Sequence, residues 1–452
     1  MFTRLVEFEN FIFKWGLAVI LLAIPLYPKF PLFNIPGTYV AVRMEDILLA
    51  ALGIFLLLKL VQNHRPFFQS SITRAFLLFL AAGLVSIASG ILLTHTVVPH
   101  IGLLHWVRRI EYVVPFFLAY SFARSEKHAY FFIEVLLVAA FLVFLYGLGQ
   151  IHFGFPVIST QNAEFSKGLA LRWLPGARLH STFGGHYDLA AFLVLALPIG
   201  IAYLFALRNI VGRALIFGVT LCLLWLLVTA ASRISVAAYF VGLVVTLWFL
   251  KKRAFLVFMM AISIAFVISS DLAGKYKFTL QQLFGRVEVT KIAWAQEEGL
   301  SPPPAPRPPA FEDRSTAIRL NVEWPRALRA FSKNPLLGTG FSSITLATDN
   351  DYLRMLGEVG VVGTLAFFLV LMRIGQKMWG FLQEFRPNGG TLASSDVLVV
   401  GTVGAAVGLL ANAAFIDVFE ASKVALIFWT LLGISVGIIN TRMKRESREE
   451  NY

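Results

Sequence analysis

Four arginines lie in the gaps between apolar runs or at their edges, and together they are suited to binding a phosphate group. They are Arg178, Arg233, Arg319 and Arg326. A guanidinium offers a planar fork of donors that matches phosphate oxygens, and it keeps its charge at any relevant pH. Two or three of them fit a diphosphate, whereas each alone also fits an interfacial arginine reaching to lipid headgroups. We therefore predict an anion site formed by several of these residues.

Three carboxylates follow the arginines along the chain. Asp349 and Asp351 come after a Gly-Thr-Gly turn, and Glu358 lies seven residues beyond Asp351, two helical turns further. Asp351, or alternatively Asp349, is placed to accept a proton from a sugar hydroxyl. The run Asp349-Asn350-Asp351 is also typical of a helix N-terminus with its cap, and Glu358 of a partner for an arginine. Both interpretations stay open at this level.

Two histidines, His180 and His186, flank the segment 181–185 and could titrate near neutral pH, although ordinary interfacial histidines look the same. The single cysteine, Cys222, lies inside an apolar run, which excludes an intrachain disulfide and a cysteine-based metal site. The chain has no zinc-ligand spacing, P-loop, dinucleotide-binding fingerprint or nucleophile elbow. We therefore predict neither a metal nor a cofactor.

The composition excludes a soluble globular protein. Of 452 residues, 58% are hydrophobic and only 14% are charged, and the mean hydropathy is +0.74. The net charge of +13 comes from basic residues in short gaps between apolar runs, so it indicates membrane orientation rather than nucleic-acid binding. We predict an all-α polytopic membrane protein.

About twelve apolar runs are long enough to cross a membrane. The first of them is followed by several prolines and lacks a small-residue cleavage site, so we predict a retained helix and not a signal peptide. The runs are 11–28, 44–62, 75–94, 106–123, 129–150, 187–207, 214–231, 234–250, 254–270, 356–374, 395–416 and 424–441.

Lysine and arginine fall in alternate gaps, which sets the orientation. With twelve spans they all lie on one side, which should be the cytoplasm, and both termini lie there too. The two long gaps, 151–186 and 271–355, then face outward. The basic residues are Arg4, Arg65, Arg74, Arg124, Lys127, Arg208, Arg213, Lys251, Lys252, Arg253, Arg373, Lys377, Arg386, Arg442, Lys444, Arg445 and Arg448.

The longer outward gap divides the chain into parts. Residues 1–270 hold nine spans, 271–355 form the large outward loop between spans nine and ten, 356–441 hold three spans and 442–452 form a basic cytoplasmic tail. Within the loop, 301–310 are proline-rich and predict an extended tip. The apolar spacing from 315 to 331 predicts one or two helices lying across the membrane face, with Pro325 as a break or first-turn residue, followed by turns at 334–340.

The ordered motifs resemble the O-antigen ligase and polymerase family of bacterial envelope glycosyltransferases. The matching stretches are RLHSTFGGHYDLAAFL at 178–193, ASRIS at 231–235, RLNVEWPRALRAFSKNPLLGTGF at 319–341 and DNDYLRMLGEVGVVG at 349–363. The resemblance also includes the span pattern with a large outward loop before the last three spans, so it extends over nearly the whole chain.

That resemblance implies a multi-helix, GT-C-like glycosyltransferase in the bacterial cytoplasmic membrane, active at its outer face in cell-surface polysaccharide or lipopolysaccharide biosynthesis. The implied donor is a glycan on undecaprenyl diphosphate, and the acceptor is a glycan or lipid-linked sugar that attacks with inversion and without a metal. The family's diphosphate-binding arginines correspond to Arg178, Arg233 and Arg319, and less closely to Arg326. One departure is clear: ligases of this family usually have a histidine where this chain has Asp349.

The residues leave two questions open. An aspartate is a weaker base than histidine at neutral pH, so the chain could be a ligase for another acceptor or a polymerase. A transporter or flippase of lipid-linked oligosaccharides is the alternative from another class, and Asn412, Asp417, Glu420 and Lys423 are the polar residues near span ends that would suit it. We also expect Arg108 and Arg109 to pair with Glu111 as structural ion pairs.

Overall fold

A computed structural model of the chain describes residues 2–28, 31–34, 41–62, 65–123, 125–157, 171–270, 317–345, 347–387 and 390–449. The predicted proline-rich tip at 301–310, and the loop around it from 271 to 316, lie outside the described residues.

The described part of the chain forms fourteen α-helices, one π-helical turn at Arg319–Glu323 and one small hairpin. The hairpin pairs β1 (Pro31–Asn34) with β2 (Ala41–Arg43) in antiparallel register, and it was not among the predicted elements. The helices are α1 (Phe2–Leu26), α2 (Met44–Gln62), α3 (Arg65–Gln69), α4 (Ser71–Leu92), α5 (Pro99–Phe122), α6 (Glu126–His152), α7 (His186–Tyr203), α8 (Ile210–Thr229), α9 (Arg233–Phe249), α10 (Arg253–Ile268), α11 (Trp324–Lys333), α12 (Asp351–Glu384), α13 (Ser394–Asn412) and α14 (Ser422–Glu449).

The helices confirm an all-α polytopic membrane protein. Each predicted span overlaps one long helix, with ends that differ by a few residues in most cases. Among the described residues, eight helices are long and apolar enough to cross a membrane, and α9 and α10 are apolar but shorter. The number of crossings therefore remains a prediction.

Two helices lie at the centre of the bundle because they are apolar on every side. Helices α7 and α14 are almost fully buried, whereas less than a third of α8 is buried, so its outer face is suited to lipid contact. Small residues let neighbouring helices approach closely. A Cβ on Gly433 or Gly437 of α14 would collide with a backbone oxygen of α5 or of the residue just after it. A Cβ on Gly242 of α9 would lie 2.8 Å from the carbonyl oxygen of Gly404 in α13.

Helix α12 is interrupted near its first third. Gly360 has a φ of +64°, and the segment 334–340, here called the insert, hydrogen-bonds to the backbone on both sides of the break. An open backbone inside a membrane protein needs such partners, since no water satisfies it there. The four bonds run from Thr339 N to Gly357 O (3.0 Å), Gly340 N to Glu358 O (2.8 Å), Val361 N to Pro335 O (2.9 Å) and Val362 N to Leu336 O (3.1 Å).

Basic residues collect at one end of the bundle. Contacts there join Phe205 O to Leu392 N at 2.9 Å and Arg442 to Asp396 at 3.1 Å, which brings the end of α7, the start of α13 and the end of α14 together. Lys252 lies over the Phe205 ring at the same end. The candidate site residues lie at the opposite end, around the starts of α7, α9 and α12.

Candidate functional site

Helix ends from distant parts of the sequence meet at this second end of the bundle. The backbone N–H of Leu179 donates to Thr229 O at the end of α8 (3.4 Å). The N–H of Asp351 donates to Ala413 O just after α13 (2.9 Å), and Ser235 in the first turn of α9 donates to Asn412 (3.3 Å). The segment that carries Arg178, the start of α9 with Arg233, and the start of α12 therefore form one neighbourhood.

Arg319 and Asp349 form the central ion pair of this neighbourhood. Nε and Nη2 of Arg319 both donate to Oδ2 of Asp349, at 2.9 and 2.7 Å. The guanidinium also lies over the Tyr187 ring, 5.5 Å from its centroid, and only 7% of Arg319 is exposed. Two charge-assisted bonds fix the plane of the guanidinium. The sequence predicted both residues as site residues, but not that they pair with each other.

Asp349 occupies an unusual backbone conformation. Its φ is +47°, in the left-handed region that aspartate enters more readily than most residues. Burial raises the pKa of Asp349, and the Arg319 guanidinium opposes that rise. The Asp349 carboxylate therefore holds the Arg319 guanidinium in place through its two hydrogen bonds.

A second arginine is connected to the pair through aromatic rings. Nη1 of Arg178 lies 2.7 Å from Nε2 of His186, so the guanidinium donates to the imidazole. The His186 ring contacts the Tyr187 ring with centroids 4.0 Å apart, and the His180 ring lies 5.8 Å from that of His186. Arg178, both histidines and Arg319 thus lie close together.

The other two predicted arginines lie further round the neighbourhood. Arg233 is the first residue of α9, next to Ser232, whose hydroxyl caps the helix by accepting from Ser235 N at 3.3 Å. Arg326 lies in the first turn of α11, after the π-helical turn that carries Arg319. The sequence offered Pro325 as a break or as a first-turn residue, and in the structure it occupies the first turn of α11.

In the Asp349-Asn350-Asp351 run, Asn350 and Asp351 have the structural roles that a helix N-terminus requires. Asn350 caps α12 by accepting from Leu353 N at 3.0 Å. Asp351 is only 3% exposed, and its Oδ2 accepts from Val418 N (2.7 Å) and Phe419 N (3.0 Å). These bonds tie α12 to the segment 413–421. The proton-accepting role predicted for Asp351 therefore has no support in its contacts.

Glu358 also has a structural setting. Its carboxylate lies 3.7 Å from Arg354 one turn earlier on α12, and its backbone oxygen accepts from Ser86 of α4 at 2.5 Å. The sequence suggested an arginine on another helix as the partner, but the nearer arginine is on the same helix. Glu358 thus lies at the break of α12, away from the Arg319–Asp349 pair.

Sequence reasoning missed the role of Asp417 in the segment 413–421. Its two oxygens accept from Thr348 N (2.8 Å) and Asn350 N (3.0 Å), the residues on either side of Asp349. Arg354 donates to it at 3.3 Å. Asp417 therefore holds the backbone that presents Asp349. The only signal in the sequence was a charged residue at the end of an apolar run.

Lys423 positions the segment that carries the histidines. It is fully buried at the start of α14, and its Nζ donates to Thr182 O (2.9 Å) and to Pro25 O (3.2 Å) at the end of α1. Asn412 is bonded to Ser235, and Asp417 and Glu420 are in ion pairs. The four polar residues that would suit a transporter therefore connect helices at one end of the bundle.

A small cavity lies beside this neighbourhood, between α4, α5, α12 and α14. Its volume is about 50 Å³, which is room for a few water molecules. Arg109 pairs with Glu420 across it, and Arg108 pairs with Asp46 at 3.5 Å, so the predicted pairing of both arginines with Glu111 is wrong. Burial raises the pKa of Glu420, but Arg109 and Arg354 lower it to about 2, so this carboxylate stays charged.

A comparison with protein families gives one match. The family model described as O-antigen ligase matches residues 218–368, which confirms the resemblance predicted from the motifs. The match includes Arg233, Arg319, Arg326 and Asp349. No curated protein matches the chain.

Proposed function

From the O-antigen ligase domain at residues 218–368, we propose that this chain is a membrane glycosyltransferase that transfers or polymerises a glycan carried on undecaprenyl diphosphate. The domain supports an O-antigen ligase-like activity in polysaccharide biosynthesis. The proposal adds the donor, the outward orientation and the roles of individual residues. The observation that carries it is the placement of Arg178 and Arg319 in one neighbourhood, joined through His186 and Tyr187.

The arginines supply the positive charge that stabilises the departing diphosphate. When the glycosidic bond to the diphosphate breaks, negative charge develops on the diphosphate oxygen, and fixed guanidinium groups stabilise that charge without reorganising. Arg319 is held by two bonds to Asp349, and Arg178 by its contact with His186. Arg233 and Arg326 border the same region. We assign the diphosphate to Arg178 and Arg319, with Arg233 as a further ligand.

The charge distribution supports an outward site. Basic residues in short loops favour the cytoplasmic side of a membrane. Lys127, Arg208, Arg213, Lys252 and Arg386 lie near the end of the bundle opposite the site. In the proposal the site therefore faces outward, and both termini lie in the cytoplasm.

Catalysis then requires little beyond positioning. The acceptor hydroxyl attacks the anomeric carbon from the side opposite the diphosphate, its oxygen forms the new bond and the electron pair of the old bond leaves with the diphosphate. Holding both substrates in this geometry lowers the barrier by itself. Inversion at the anomeric carbon follows from a single displacement. A transporter of lipid-linked glycans has no support from the domain match.

The test uses the purified full-length protein in lipid with a defined undecaprenyl-diphosphate oligosaccharide, and product length is followed on a gel. A ladder of longer lipid-linked glycans establishes a polymerase, and transfer only after a lipid A core or another acceptor is added establishes a ligase. Arg319→Ala should abolish either product. Arg329→Ala is the matched control, because Arg329 is exposed on α11. No product with any acceptor would refute the proposal.

A further inference from the structure

The acceptor hydroxyl must lose its proton, and most candidate bases of the chain are already engaged. Asp349 accepts two bonds from Arg319, and Asp351 accepts two from the backbone. Glu358 also has a buried oxygen without a hydrogen bond from the described residues, Oε1, but that oxygen lies 3.7 Å from Arg354 and Glu358 lines the small cavity instead. Nε2 of His186 faces a guanidinium. A group whose lone pairs are bonded to cations or backbone donors accepts a further proton poorly.

One carboxylate in the neighbourhood, that of Glu323, has a buried oxygen that neither a cation nor a backbone donor of the described chain binds. Glu323 is the last residue of the π-helical turn that begins at Arg319, and it precedes α11. Its Oε2 is buried and has no hydrogen-bond partner within the part of the chain that the structure describes. Arg319 and Glu323 thus occupy the two ends of one short turn. Such π-helical turns occur frequently at functional sites.

Buried polar atoms without partners continue beside Glu323. Nε1 of Trp324 and Nη1 of Arg326 are buried and also lack a hydrogen-bond partner among the described residues. Buried polar atoms are nearly always bonded in folded proteins, so an unbonded set points to a water or ligand. The Trp324 ring packs 6.2 Å from the Phe415 ring, centroid to centroid. A carboxyl oxygen, two N–H donors and an aromatic pair match the hydroxyls and apolar face of a sugar.

We propose that Glu323 accepts the proton of the acceptor hydroxyl, with the acceptor sugar bound beside Trp324 and Arg326. This rests on the proposed glycosyl transfer. The O–H proton passes to the Glu323 carboxylate while the oxygen bonds to the anomeric carbon. The bond to the diphosphate breaks, and its electron pair leaves on the diphosphate held by Arg319. Glu323 later returns the proton to solvent.

The surroundings of Glu323 support this role. Burial and then the nearby Asp349 carboxylate raise its pKa to about 7, with Asp417 adding to the rise while Arg319 and Arg326 oppose it. A general base works best when its pKa lies near the working pH. Only the deprotonated carboxylate can accept a proton. The rate of transfer should therefore rise as the pH increases toward about 7 and level off above it.

The test measures kcat and the KM for the lipid-linked donor from about pH 5.5 to about pH 8.5 in wild type, E323Q and E384Q. Glu384 is exposed at the far end of α12 and serves as the matched control. E323Q should lower kcat by about 10²–10⁴-fold, leave the donor KM within about twofold, and lose the rise with pH. E384Q should behave as wild type. A purely structural role for Glu323 would not remove the pH dependence selectively.

Further outcomes separate a failure of the Glu323 role from a failure of the proposed glycosyl transfer. Added formate should restore part of the activity of E323A but not of R319A, because a small carboxylate replaces a base and not a cation. An E323Q protein with wild-type kcat and the same pH profile would overturn the role of Glu323 while leaving glycosyl transfer intact, as would a flat wild-type profile. Wild-type protein inactive with every acceptor would overturn both proposals.

Discussion

Arg319 carries its charge in a largely buried position because Asp349 accepts two of its N–H groups and the Tyr187 ring lies beside it. A buried guanidinium needs such partners, since an unpaired buried charge is strongly unfavourable. Asp349 in turn depends on Asp417, which holds the backbone at Thr348 and Asn350. The contacts of Asp349 in this structure are therefore made through the arginine.

Replacing Arg319 with lysine tests the planar fork at this site. An ammonium keeps the charge, but it lacks the planar fork by which Nε and Nη2 both donate to Oδ2 of Asp349 while Nη1 stays available to a diphosphate. We expect Arg319→Lys to lower kcat/KM for the lipid-linked donor at least about tenfold, about 1.4 kcal/mol in transition-state binding. Arg329→Lys should leave it unchanged, because Arg329 is exposed. Equal activity in the two variants would remove the phosphate-binding role of Arg319.

At the scale of elements, the interrupted helix α12 explains two glycine-rich stretches of the sequence. The insert with Gly338 and the break at Gly360 hydrogen-bond to each other, and Ser86 and Ser89 of α4 donate to Glu358 O and Gly338 O. The turns at 334–340 could be predicted from local residue types. Their docking onto α12 could not, because it depends on backbone groups that a sequence pattern does not place.

Gly338→Ala tests this docking. Gly338 has a φ of +75°, and an added Cβ would lie 2.5 Å from the backbone nitrogen of Gly360. We expect the substitution to destabilise the protein by more than about 1 kcal/mol and to lower its thermal unfolding temperature in detergent.

Gly375→Ala in the same helix is the control for that measurement. Apart from its chain neighbours and the backbone of its own helix, no atom lies within 4 Å of the position of its Cβ. Alanine should raise helix stability there by about 0.5–1 kcal/mol. If both variants unfolded at the same temperature, the insert would not be packed against the break as described.

At the scale of the whole molecule, charge asymmetry predicts the orientation. Leu174 is 68% exposed near the candidate site, and Arg386 is exposed at the basic end. In a Cys222→Ser background, Leu174→Cys should react with a membrane-impermeant maleimide in intact spheroplasts. Arg386→Cys should react only after permeabilisation. The reverse pattern would place the site in the cytoplasm and contradict the proposed outward transfer.

Hydropathy and charge are properties of short stretches, so the apolar segments, their helical state and the concentration of basic residues in alternate gaps followed from the sequence. The ordered motifs also indicated the family, and they singled out Arg178, Arg319 and Asp349. Each of these inferences depends on residues close together in the chain.

Partnerships across the bundle depended on the tertiary structure. Arg319 with Asp349, Asp417 with the backbone around Asp349, and Lys423 with Thr182 connect residues from 30 to 241 positions apart. No local pattern specifies which of several carboxylates an arginine meets, because helix packing sets those distances. For the same reason the sequence left a reacting acid and a structural residue as open alternatives for Asp351 and Glu358, and their contacts in the fold are structural. Glu323 became a candidate base only when its surroundings were known.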